Sequence, residues 1–128
     1  MNRKELIALP VYQKAAIIES KINELKRSYS FDGILLIDDG SEDDTTEAVE
    51  PDEFFHLLTH DKPLGYGGCF ISAIEYANAH GFTHVIFLDL CHPDFTSPIG
   101  PIREAFEAGV EIVNISRASS IHSETDEE

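Results

Sequence analysis

Apolar and polar positions along this chain fall into blocks of two kinds. Short, mainly apolar runs recur at 6–9, 33–37, 54–59, 84–88 and 111–116, each closed by Pro, Gly, Asp or another turn residue. Apolar runs of this length without alternation read as strands covered on both faces. Between them the spacing turns helical. In 15–26, Ile17, Ile18, Ile22 and Leu25 share one face. Residues 68–79 predict a helix ending near Gly81, and 101–108 one closed by Gly109. A short helix is expected over 42–49, with Ser41 as cap and Asp43 and Asp44 in its first turn. Strands alternating with helices at this interval predict right-handed βαβ crossovers and a mainly parallel sheet. The expected fold is therefore an α/β three-layer sandwich. Its strand exits carrying Tyr12, Asp39 and Asp89 should converge on one edge, where such sheets bind ligands.

The sharpest change of character lies at Ile34-Leu35-Leu36-Ile37-Asp38-Asp39-Gly40-Ser41. A buried strand ends there in two adjacent carboxylates, which are costly to hold together unless a cation or hydrogen-bond donors use them. One functional reading gives a carboxylate to the base or ribose of a nucleotide. The bland reading is a turn in which Asp-Gly-Ser satisfies its own backbone. Pro10 and Tyr12 close the first strand: a proline stops pairing where a ligand could approach, and an aromatic offers a flat face with a hydroxyl handle. Gly65-Tyr66-Gly67-Gly68 opens a helix, and free N–H groups at a helix start bind anions. With Phe70 in the third glycine's place it is not a dinucleotide fingerprint, and it lacks a Walker lysine.

Composition narrows the classes. The 128 residues suffice for one domain with a real core, but the formal charge of −15 argues against nucleic acid or an anionic membrane as partner. No run approaches the roughly 20 apolar residues of a membrane span, and Pro10 interrupts the first apolar stretch too soon for a signal peptide. Cys69 and Cys91 suggest no disulfide framework, so a cytoplasmic protein with reduced thiols is expected. Residues 1–117 read as one domain and 118–128 as an acidic, disordered tail. His80 and His84 are separated by a turn and share no helix face, and Ser41 has no nucleophile-elbow context. A response-regulator acid pocket is set aside because the last strand ends in Arg117, not lysine.

In order and spacing, Leu9-Pro10-Val11-Tyr12, Asp38-Asp39-Gly40-Ser41, Leu64-Gly65-Tyr66-Gly67-Gly68, Leu88-Asp89 and Asn114-Ile115-Ser116-Arg117 resemble the nucleotide-binding half of family 2 glycosyltransferases, especially the dolichyl-phosphate mannose synthase-like branch. The resemblance spans Leu6 to Arg117 and implies a GT-A, Rossmann-like fold that binds a nucleotide or nucleotide-diphosphate sugar. It assigns Pro10, Tyr12, Asp38, Asp39, Gly65, Gly67 and Arg117 to the nucleotide, with Asp39 on the base. It assigns Asp89 to a Mg²⁺ or Mn²⁺ ion. The chain departs from the pattern at several points. Gln13 and Lys14 replace an Asn-Glu pair, and a lysine cannot accept the ribose hydrogen bond. Pro63 stands where asparagine is usual. Cys91 replaces the second carboxylate of Asp-x-Asp, and a thiol is a poor ligand for either metal; His92 or Asp94 is a candidate substitute. No residue matches the family's catalytic base. The reading is a nucleotide-sugar-binding domain with reduced or no transferase activity by itself. The alternatives are an active transferase completed by a partner subunit or homodimer, and a non-catalytic interaction module keeping only the fold.

Overall fold

The computed structural model describes residues 3–43, 45, 50–90, 92–109, 113–115 and 121–123. Its elements run β1 (Glu5–Val11), α1 (Ile18–Ser28), β2 (Gly33–Asp38), β3 (Phe55–Thr59), α2 (Gly65–Ala79), β4 (His84–Phe87), α3 (Ile99–Glu107), β5 (Val113–Ile115) and β6 (Ile121–Ser123). The chain divides into two compact units, 1–93 and 94–128.

The first unit is built on a four-stranded sheet of order β3-β2-β1-β4, parallel throughout. All of β1 and β2 is buried, as unbroken apolar runs require when both faces are covered. Period-2 geometry sorts their side chains. Leu6, Ala8, Leu35 and Ile37 pack with Cys69, Ala73 and Ala77 of α2, at the i, i+4, i+8 spacing of one helix face. Ile7, Leu9, Ile34, Leu36 and Ile86 are buried on the other face. The β1–α1–β2 crossover steps one way across the sheet and β3–α2–β4 steps back past it. Right-handed connections therefore place α1 and α2 on opposite faces, and α1 buries Ile18, Ile22 and Leu25. The reversal of strand order lies between β1 and β4, so the ligand crevice of such a sheet opens at their carboxyl ends.

One boundary differs from expectation. Helix α2 begins at Gly65, one turn before the expected Gly68; its cause lies in the site below. Strand β5 pairs antiparallel with β6, with Asn114 opposite His122. β6 lies within 118–128. In the second unit α3 buries Ile99, Ile102 and Phe106. The helix expected over 42–49 lies largely outside the described residues.

Candidate functional site

The carboxyl edge is set by register. Val11 pairs with Asp38, and Asp38 with Thr59, so β1, β2 and β3 end level. The β1–β4 ladder ends lower, at Ala8 and Phe87, with the Leu88 N–H continuing to the Ala8 carbonyl at 3.0 Å. Alternate residues of a parallel strand bond to alternate neighbours, so Pro10 turns toward the β4 side, past the end of that ladder. Tyr12, Asp39 and Asp89 each follow a strand terminus on this one edge. Tyr12 is exposed, Asp39 buried and Asp89 half-buried.

Asp39 is the centre of the arrangement. It continues the period of Leu35 and Ile37 and so falls on the face covered by α2; Asp38 falls on the other. Its Oδ1 accepts from the Leu64 N–H at 2.9 Å and lies 2.7 Å from His60 Nδ1, while Oδ2 accepts from the Gly65 N–H at 2.9 Å. These are free N–H groups of the helix start, so a carboxylate from a distant strand end caps α2 and lets it begin at Gly65. Burial works to raise the Asp39 pKa, but donors on His60, Leu64, Gly65 and Cys69 outweigh it and hold the carboxyl below its ordinary value. His60 Nε2 lies 2.8 Å from Ser72 Oγ, completing a carboxylate–imidazole–hydroxyl chain. Burial first, then the charge of Asp39, pushes the Cys69 thiol up to about 12.

Asp38 behaves as the turn reading expects: its Oδ1 accepts from the Ser41 N–H at 3.1 Å. Gly40 takes φ +81°, and a Cβ there would stand 2.7 Å from the Pro63 backbone nitrogen, so the glycine lets the β3–α2 loop close over the β2 turn. The acidic segment beyond it serves the loop after β1. Ser41 Oγ accepts from the Gln13 N–H (2.8 Å) and Thr45 Oγ1 from the Lys14 N–H (3.0 Å). Gln13 Oε1 accepts from the Glu42 N–H at 2.6 Å, with Gln13 itself at φ 56°. Asp43 accepts from the Thr45 hydroxyl and backbone, which lowers its pKa. Gly65 also has φ +81°, whereas a Cβ on Gly67 would meet nothing within 4 Å among the described residues. Tyr66 and Phe70 of α2 meet Phe87 edge-on, at 5.7 and 5.4 Å between centroids, forming an aromatic wall beside the end of β4.

The edge thus gathers Pro10, Tyr12, Asp38, Asp39, Gly65 and Asp89; Gly67 lies two residues into α2. Cys91 and Arg117 lie outside the described residues. Sequence reasoning missed His60, Ser72 and Cys69. The usable signal was register: once Asp38 pairs with Thr59, residues 39 and 60 leave the sheet side by side on the same face. Asp89 belongs to no group of three acidic, His or Cys side chains able to share an ion among the described residues. No helix among them is long and apolar enough to cross a membrane.

No curated protein sequence gives a significant match to the chain. Among solved structures, a mannosyltransferase from Pyrobaculum calidifontis in complex with GDP-Man and Mn²⁺ superposes with a TM-score of 0.52 at 24% identity. The match covers 60% of this chain and 25% of that one, so the two share the GT-A fold over a part of the larger protein. The sequence profile of glycosyl transferase family 2 matches residues 6–117, which takes in every strand of the parallel sheet and the whole carboxyl edge built above; the chain belongs to that family.

Proposed function

We propose that this domain binds a nucleotide-diphosphate sugar across the carboxyl ends of β1, β2 and β4, with little or no transferase activity by itself. The observation that carries the reading is the strand register: it brings Tyr12, Asp39 and Asp89 to one edge at the point where strand order reverses. Tyr12 is 45% exposed and free to offer its ring to a base. Asp39 stands at the same edge with donors from His60, Leu64, Gly65 and Cys69 on its carboxylate, so a base that reaches it must displace or share one of them. Gly67, open on its outer side, permits close approach of a diphosphate, and Arg117 is a candidate phosphate partner by its match to the family pattern. A divalent ion is proposed at Asp89. One hard carboxylate fits Mg²⁺ or Mn²⁺ only when diphosphate oxygens and water complete the shell, because the residue two positions on is a thiol.

Low intrinsic turnover follows from that reduced ligand set. One observation favours a second reading, an enzyme completed by another polypeptide: Leu64, just before α2, and Ile71 and Ile74 on it are exposed apolar side chains at helical spacing. NMR or calorimetric titration with UDP, GDP and their sugars, with and without Mn²⁺, tests the first. Shifts at Tyr12, Asp39 and Asp89 are expected; their absence at millimolar ligand removes the proposal. Turnover that arises only on adding a partner polypeptide supports the second.

A further inference from the structure

A different set of ligating atoms lies beneath the edge, and the sugar-nucleotide reading uses only one of its members. A carboxylate oxygen of Asp39, a ring nitrogen of His60 and the sulfur of Cys69 all lie within 4.8 Å of one another. We infer that these three side chains form a binding site for a borderline-soft divalent ion of the Zn²⁺ class, which pins the ends of β2 and β3 to α2. Each ligand comes from a different element: Asp39 follows β2, His60 follows β3, and Cys69 faces the sheet from α2.

The donor set selects the ion. Oxygen, imidazole nitrogen and sulfur together suit Zn²⁺, at bond lengths of about 2.0–2.3 Å, and a sulfur ligand disfavours Mg²⁺ and Mn²⁺. The surrounding partners are those a metal site requires. Leu64 and Gly65 N–H groups hold the carboxylate, and the Ser72 hydroxyl stands 2.8 Å from His60 Nε2. The protons balance as well. Binding through Nδ1 moves the ring hydrogen to Nε2, where Ser72 accepts it; a hydroxyl both donates and accepts, so this partner suits either tautomer. The Cys69 thiol gives its proton to solvent as the sulfur ligates, one proton released per ion. Cys69 is 1% exposed and Asp39 8%, so the ion is shielded, and a water completes four-coordination. The inference does not depend on nucleotide binding, since no atom of a ligand enters it.

The test is titration of the metal-free full chain with Co²⁺, without nucleotide. The expected result is a 1:1 complex with tetrahedral visible bands and a thiolate-to-cobalt charge-transfer band, displaced by Zn²⁺. Zn²⁺ at a hundredfold excess over its Kd should raise Tm by about 10 °C. Cys69→Ser should abolish the charge-transfer band, and Ser72→Ala should weaken binding about 10- to 100-fold. Cys91→Ser and Asp89→Asn should retain the band, the latter separating this ion from one held with a diphosphate. No thiolate band in the wild-type chain, or a band that follows Cys91, overturns the inference whatever nucleotide titrations give.

Discussion

Replacing Asp39 with alanine removes the acceptor on which the ends of three elements converge, and its cost can be worked from the geometry. The Leu64 and Gly65 N–H groups each lose a charge-assisted bond at 2.9 Å. Both residues are exposed, so water replaces the carboxylate and each loss stays near 1 kcal/mol. The favourable charge at the helix start contributes about 0.5–1 kcal/mol more. His60 contributes more: its side chain is only 10% exposed, and a buried donor left without its partner costs about 1–3 kcal/mol. Together these give about 4 kcal/mol, a fall in Tm of roughly 10–20 °C for a domain of this size. Urea unfolding followed by circular dichroism in EDTA measures it, with ΔG read at constant m-value. Ser41→Ala is the control, since its bond to Gln13 is exposed and its loss should stay under about 1 kcal/mol. A loss below about 1.5 kcal/mol for Asp39→Ala would refute the reasoning, because it would mean that solvent replaces the whole network.

Further outcomes follow from neighbouring geometry. Gly40→Ala should destabilise by about 2–4 kcal/mol in the same assay, because φ +81° is combined with a 2.7 Å approach to the Pro63 nitrogen. Gly67→Ala should leave stability unchanged or raise it by about 0.5–1 kcal/mol, since the position is helical and open, yet weaken nucleotide-sugar affinity measured by calorimetry. Asp52 accepts from the Phe55 and Phe54 N–H groups, and these bonds hold its carboxyl below the ordinary value. Its contribution is present above the unfolded pKa near 4 and lost as pH falls through the lower folded value. Urea midpoints of Asp52→Asn should therefore fall below wild type at pH 7, and the gap should narrow as pH falls below the unfolded value near 4; a pH-independent gap would contradict the assignment. Tyr12→Ala should cost roughly tenfold in nucleotide affinity through lost stacking, with the melting temperature unchanged.

Much of the fold was legible in the sequence because the parallel strands are unbroken apolar runs. Residues 6–9 and 33–37 mark β1 and β2 closely, since strands covered on both faces have no polar positions to confuse the period. What sequence could not show was anything closed from a distance. The start of α2 is set by Asp39, 26 residues before Gly65, so no local cap announces it. The pairing of Gln13 with Ser41 and Glu42 is equally non-local. Both carboxylates of the Asp-Asp pair could be flagged, but not their division of labour. That comes from the pleat, which sends Asp38 to its own turn and Asp39 to the helix. The antiparallel partner of β5 was hidden for another reason: three residues of strand pattern fit a parallel or an antiparallel neighbour equally well, and only the pairing with β6 decides.

The uneven ends of the central strands carry one more consequence. A sheet that stops early on one side of β1 offers a slot into which a foreign extended peptide could zip by backbone pairing. Pro10 sits at that slot with no amide hydrogen to give, which blunts the slot as an intruder's template while leaving it open to small molecules.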